Sequence, residues 1–272
     1  MKGILFMTFI LVARSASFAQ YTLEKLWHTD TTLQIPESAL FDDKTKTLYV
    51  SNIGDFQKEG VGFISKVGLD GKIISAQWVK GLTAPKGLGL YKNTLYAAEL
   101  TSIALIDVST AKVIQRIPIE GAQFLNDITI SSKGVVYVSD TRTNKVHKIE
   151  NGKATLYLEN MKDANGLLAV GNDLYVLADG ALQRADAKQQ LTTLAKGIEG
   201  GADGIEMIAP HEFIVTGWAG TIYSAKDDGS LHLLSDTRNE KMNAADLGYD
   251  PASKTIYIPV MSKNMIVAYS LK

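Results

Sequence analysis

The sequence predicts an all-β chain folded as a six-bladed β-propeller. Three observations carry this reading. A short β-branched and aromatic motif recurs six times, turn chemistry brackets every copy, and no helical period competes with the strand pattern. The copies are Leu48-Tyr49-Val50-Ser51, Leu95-Tyr96-Ala97-Ala98, Val136-Tyr137-Val138-Ser139, Leu174-Tyr175-Val176-Leu177, Phe213-Ile214-Val215-Thr216 and Ile256-Tyr257-Ile258-Pro259. Their spacing of roughly 40 residues is that of a four-stranded propeller blade.

Each copy is embedded in the same way. A short apolar stretch precedes it, such as Leu88-Gly89-Leu90 or Ile128-Thr129-Ile130, and a turn separates the two. Those turns, among them Ser131 to Gly134 and Gly171-Asn172-Asp173, are rich in residues that favour reversal of the chain. A further strand follows each motif, such as Lys145 to Ile149 or Thr221 to Ser224. A tip such as Asp70-Gly71, Asn151-Gly152 or Asp228-Gly229 then closes a hairpin. The last unit, from Ala245 to Lys272, supplies only three strands. Tyr21 to His28 is available as the fourth, so blade six is expected to be closed by the N-terminal strand, hiding an otherwise exposed sheet edge.

A chain of 272 residues with 46% apolar residues can build this core as one domain, expected over residues 20–272. The net charge of −1 and the lack of any basic stripe argue against a nucleic-acid partner. With no cysteine, disulfides, thiolate chemistry and cysteine-bound zinc are excluded. Lys2, the apolar run Ile4 to Val12 and Ser17-Phe18-Ala19 read as a secretory leader over residues 1–19, cut after Ala19, although Arg14 lies close behind the apolar run. The expected location is therefore periplasmic or secreted. No later segment is long and apolar enough to span a bilayer, and a monomer is expected.

One polar position recurs in each blade. Counting back ten to twelve residues from the repeated aromatic position reaches Glu37, Lys86, Asn126, Asn165, Asp203 and Asp246. These fall just before each inner strand, at one mouth of the central channel, so their side chains are expected to converge on the axis. Three carboxylates and two carboxamides offer the oxygen ligands of a hard cation such as Ca²⁺ rather than those of Zn²⁺. Without a cation, converging carboxylates repel and raise one another's pKa values. Lys86 could replace part of the cation's role or reach an anionic substrate.

Pro36-Glu37-Ser38, Asn126-Asp127, Asn165-Gly166 and Asp203-Gly204, each at an inner-strand start, resemble the family of gluconolactonase and senescence-marker protein (regucalcin), whose site is also similar to that of paraoxonase. The resemblance spans the chain beyond the leader and implies a six-bladed propeller with a divalent metal in its channel. It implies Glu37, Asn165 and Asp203 as metal ligands, Asn126 as a ligand or substrate contact, and Asp203 as general base. Two departures bear on the substrate. Sugar-lactone members carry an arginine two residues before the blade-three asparagine, where this chain has Phe124, and Ser38-Ala39 replaces their usual Gly-Pro after the first glutamate. Phe124 and Lys86 therefore join Asn126 as expected substrate contacts, with the substrate other than a sugar lactone.

The remaining candidates read as structural. His28, His147, His211 and His232 fall in outer strands or a turn at the opposite mouth, so no histidine dyad is expected. Trp27 and Trp78 read as packing, and Trp218 could line the channel mouth. Glu99 and Asp140, just past the motif, read as loop charges. No nucleophile elbow, P-loop or dinucleotide fingerprint occurs. Two functions stay open: a divalent-metal-dependent hydrolase of a small lactone or ester, with Ca²⁺ expected and other hard divalent ions possible, or a non-enzymatic propeller that binds a small ligand or partner protein at the channel mouth.

Overall fold

The computed structural model describes residues 21–272. The expected leader and its cut after Ala19 lie outside the described residues. The chain opens with β1 (Leu23–His28). Blade one is β2 (Pro36–Asp42), β3 (Thr47–Asn52), β4 (Gly62–Gly68) and β5 (Ile73–Leu82); blade two is β6 (Leu88–Tyr91), β7 (Thr94–Ala98), β8 (Ser102–Asp107) and β9 (Lys112–Pro118). Blade three is β10 (Leu125–Ile130), β11 (Val136–Asp140), β12 (Lys145–Glu150) and β13 (Lys153–Leu158); blade four is β14 (Leu167–Val170), β15 (Asp173–Ala178), β16 (Ala181–Ala185) and β17 (Leu191–Lys196). Blade five is β18 (Ala202–Ala209), β19 (Glu212–Gly217), β20 (Thr221–Lys226) and β21 (Leu231–Asp236). Blade six is β22 (Gly248–Asp250), β23 (Thr255–Val260) and β24 (Met265–Leu271), with β1 as its outer strand.

The six repeated motifs are the second strands β3, β7, β11, β15, β19 and β23. First strands contact one another in the order β2, β6, β10, β14, β18, β22 and back to β2, which makes a closed ring. In blade six β1 runs antiparallel to β24, with Leu23 opposite Leu271. Thr22 N–H donates to Lys272 O and Lys272 N–H donates to Thr22 O, both at 3.0 Å. This pairing removes the free edge that a three-stranded last blade would expose.

Packing explains why no blade stands alone. Each apolar cluster joins two neighbouring blades. Tyr49, Ile64 and Leu82 of blade one meet Leu88, Leu95 and Ile106 of blade two. Val50 and Val67 of blade one, with Leu33 from the β1–β2 connection, meet Tyr257, Ile266 and Ala268 of blade six, closing the circle. The period-two alternation of each strand thus buries both sheet faces, one against each neighbour. Trp27 packs on Tyr257 with ring centroids 5.8 Å apart, and Trp78 on Tyr49 at 5.1 Å, as the sequence suggested. The Asn151-Gly152 hairpin tip adopts φ of 53° and 73°, the left-handed pair that such turns require. Among the described residues no helix is long and apolar enough to cross a membrane.

Candidate functional site

A shared local device sets the start of the inner strands in blades one, three and five. There the first-strand register slips, at Pro36/Ala39, Leu125/Ile128 and Ala202/Ile205. The motif residues Ser51, Ser139 and Thr216 accept the N–H groups freed by the slip, from Ser38 at 2.9 Å, Asp127 at 2.9 Å and Gly204 at 2.8 Å. Blades two, four and six have no hydroxyl at that place. Backbone carbonyls of Ala98, Leu177 and Pro259 instead accept from Lys86, Asn165 and Ala245.

This register corrects one expectation. Glu37, Lys86, Asn126, Asn165 and Asp203 occupy equivalent places and line one cavity of about 260 Å³ at the channel mouth. The sixth equivalent place is Ala245. Asp246 comes in one level deeper, in an axial channel of about 180 Å³ lined by inner-strand residues of all six blades, including Ser38, Asp127 and Glu206. The mouth therefore carries two carboxylates, two carboxamides and one ammonium rather than three carboxylates. Glu37, Asn126 and Asp203 are also the second residues of β2, β10 and β18 rather than preceding them. Glu99 does follow β7 in a loop, whereas Asp140 closes β11, and neither is a solvated charge. Both are buried: Glu99 accepts the Thr83 N–H and pairs with Arg116 at 2.8 Å, and Asp140 accepts the N–H groups of Gln123 and Phe124.

Hydrogen bonding fixes which atoms face the cavity. The Thr141 hydroxyl donates to Ala164 O at 2.7 Å, so it accepts the Asn126 Nδ2–H at 3.1 Å. Asn165 Nδ2–H donates to Asp203 Oδ1 at 2.9 Å, the only sense a carboxylate acceptor allows. Both amides are thereby turned so that their oxygens lack a donor. Asn126 Oδ1, Asn165 Oδ1 and Glu37 Oε2 are all buried without a partner. An unmade bond at a buried acceptor costs about 1–3 kcal/mol. Three such atoms at one mouth form a donor set suited to a hard divalent cation, which takes oxygen ligands from carboxylates and amides alike. No cluster of three or more His, Cys, Asp or Glu occurs among the described residues, so any such site depends on the two amides.

The electrostatics agree with crowding of like charge. Burial pushes the Glu37 carboxyl well above its ordinary range; Asp203 and Asp246 add to this, and Lys86 opposes it. Burial does the same to Asp203, again reinforced by Asp246 and opposed by the Asn165 hydrogen bond. Lys86 is 2% exposed, and burial brings its ammonium down to about 8 against the opposing pull of Glu37, Glu99 and Asp140. It donates to Ala84 O at 3.2 Å and sits 4.7 Å from the centre of the Phe124 ring, whose other cationic neighbour is Arg142 at 5.2 Å.

Deeper in the channel, burial raises Glu206 to about 8, with Asp246 contributing, and raises Asp246 itself to about 6, opposed by the Ser38 hydroxyl at 2.5 Å. A carboxyl held above its unfolded value of about 4.3 gives stability below that value and loses it as pH rises through the folded one. Glu206→Gln should therefore melt higher than wild type at pH 9 and lose that advantage at pH 5. In metal-free protein the gap should widen by about 2 kcal/mol, or roughly 4–8 °C, across this range. A gap independent of pH would contradict the assignment.

Trp218, half-exposed, lines the mouth cavity, as do Phe56 and Met261, which sequence reasoning missed. They reach the mouth from loops outside the repeated strands. The histidines stay away: His211 pairs with Asp227 on the surface, and none of the four lines the mouth.

Comparison with known proteins gives the fold a precedent. No protein-family model and no curated protein matches the sequence. Solved structures do match. A gluconolactonase from Xanthomonas campestris superposes with a TM-score of 0.71 at 14% identity, covering 89% of this chain and 88% of that one. The chain has the fold of a gluconolactonase-like propeller. An inactive histidine-to-alanine variant of virginiamycin B lyase from Staphylococcus aureus, bound to quinupristin, gives 0.70 at 15% identity, over 93% of this chain and 100% of the other. A streptogramin B lyase gives 0.69 at 12% identity, over 95% and 100%. At these identities all three comparisons extend to architecture alone.

Proposed function

We propose that this chain is a secreted or periplasmic hydrolase of a small lactone or ester that depends on a divalent cation, with Ca²⁺ the expected ion. The observation that carries the reading is the trio of buried, partnerless oxygens on Glu37, Asn126 and Asn165 beside the Asp203 carboxylate. Those four residues would hold the ion. When bound there, it would supply Lewis-acid polarisation of a substrate carbonyl.

The chain's own residues supply the rest. Asp203 Oδ1 is occupied by the Asn165 amide, and Oδ2 accepts no hydrogen bond from the described residues. That open oxygen is placed to take a proton from an attacking water. Asn126, Lys86 and Phe124 line the same cavity and would contact the substrate. Hydrolysis turns a neutral lactone or ester into a carboxylate, and the Lys86 ammonium is the cation placed to meet that new charge.

A non-enzymatic ligand-binding role is the second reading. It is favoured by Lys86, whose ammonium already offsets part of the Glu37 charge. Melting curves and turnover separate the two. Ca²⁺ at about 100 times its dissociation constant should add about 2.7 kcal/mol, raising the midpoint by about 5–10 °C over EDTA-treated protein. Turnover of a lactone and aryl-ester panel should be lost in EDTA and return with Ca²⁺. Stabilisation without turnover would favour the binding role. No shift with millimolar divalent ions, together with EDTA-resistant turnover, would overturn the metal site.

A further inference from the structure

Resting on the hydrolase reading of the mouth, we infer that the substrate is amphipathic: a small cyclic or ester carbonyl head at the polar ring, with an alkyl or aryl tail lying over Trp218 and Met261. Besides the polar ring, the cavity is lined by Ile53, Phe56, Phe124, Trp218 and Met261; Ile53 is buried, while Phe56 and Trp218 stand open to solvent. Trp218 and Met261 also form the wall of an adjoining groove of about 510 Å³, completed by Ile35 and Ala219, with Lys241, Asn243 and Ser262 as its polar members. Head site and groove thus adjoin and share two side chains. A substrate hydroxylated on every carbon would leave its hydroxyls against aromatic and thioether surface, whereas a hydrocarbon tail would bury there without an unmet hydrogen bond.

The wall is held in place rather than merely exposed. Trp218 N–H of the backbone donates to Gly201 O at 2.7 Å, and its carbonyl accepts from Ala244 at 3.2 Å. The indole Nε1–H points at Met261 Sδ, 3.4 Å away. This spends the polar edge of the indole on the neighbouring wall residue. Yet Trp218 remains 52% exposed and Phe56 46% exposed. Large apolar side chains fixed and left open beside a polar pocket are the usual mark of a ligand surface.

The test uses two pairs of compounds. γ-Nonalactone and γ-valerolactone share a reacting ring and differ in tail length; 2-pentylcyclopentanone and 2-methylcyclopentanone repeat the difference in ketones that cannot be hydrolysed. Full burial of each added methylene is worth roughly fourfold, so even partial burial predicts at least a tenfold lower KM for the longer lactone, with kcat little changed. The same gain should appear in the affinity of the longer ketone by calorimetry. Trp218→Ala should bring both tail ratios close to one, and Trp218→Phe should restore most of each. If the longer ketone binds through Trp218 but neither lactone turns over, the hydrolase reading fails and the amphipathic site stands. If lactones turn over with no tail preference, or Trp218→Ala leaves the preference intact, the inference is overturned while the hydrolase reading stands.

Discussion

Asp203→Ala is expected to weaken Ca²⁺ binding by at least about 100-fold and to reduce turnover by about 100-fold or more, even at saturating Ca²⁺. The first figure follows because perturbing even an outer contact of a metal site costs about 10–100-fold, and Asp203 would be a direct ligand. It would also be the base, a role worth about 10²–10⁴ in rate. The loss has a second source. Asp203 Oδ1 is the acceptor that turns the Asn165 amide, so without it Asn165 Oδ1 has no reason to face the mouth. Asp203→Asn separates these effects. It retains shape and can keep the amide contact, but has neither charge nor basicity. Calorimetry with Ca²⁺ and initial rates on the best substrate of the panel would decide the matter. Tight Ca²⁺ binding by the alanine variant would remove Asp203 from the ligand set.

Gly248→Ala should be among the most destabilising single substitutions in the chain. A Cβ built at Gly248 would lie 1.9 Å from the Ala39 carbonyl oxygen, at the seam where blade six meets blade one. The obstacle is backbone in a first strand, so it cannot swing aside. Gly248 does not have a positive φ, so the cost is steric rather than conformational. Overpacking usually costs 1–3 kcal/mol, and a clash with fixed backbone belongs at or beyond the upper end, about 3 kcal/mol. That corresponds to a fall in melting temperature of roughly 6–12 °C. Gly121→Ala is the contrast: φ is 75° there, but no atom lies within 4 Å, so about 1 kcal/mol is expected. Equal melting temperatures for the two variants would show that the seam gives way.

The propeller was legible because each blade repeats the same Tyr-Val-Ser-like core strand with turn residues around it. The mouth residues were legible for the same reason, up to a limit set by hairpin length. From the inner-strand residue to its partner in the next strand the chain advances nine residues from Leu88 to Ala97, and eleven from Ala39 to Val50. A count back from the tyrosine could not separate Ala245 from Asp246 within that spread, and it chose the polar residue. The orientation of the amides was not legible at all. For Asn126 it depends on Thr141, which sits beside it only after β10 and β11 pair, and for Asn165 on Asp203 of the next blade. The aromatic rim was hidden for a related reason: Phe56, Trp218 and Met261 come from connections of different length and composition, with no repeat to align them.

The pairing of β1 with β24 sets a timetable for manufacture. Leu23 meets Leu271, so the last sheet cannot be completed until nearly 250 further residues have followed β1. Contacts this remote in sequence carry a high loop-closure cost and form late. Until then the first and last units present open edges to one another and to any other unfinished chain. Quality control during biosynthesis would therefore act most strongly before β24 emerges, and removal of that strand would expose both of its neighbours, β1 and β23, at once.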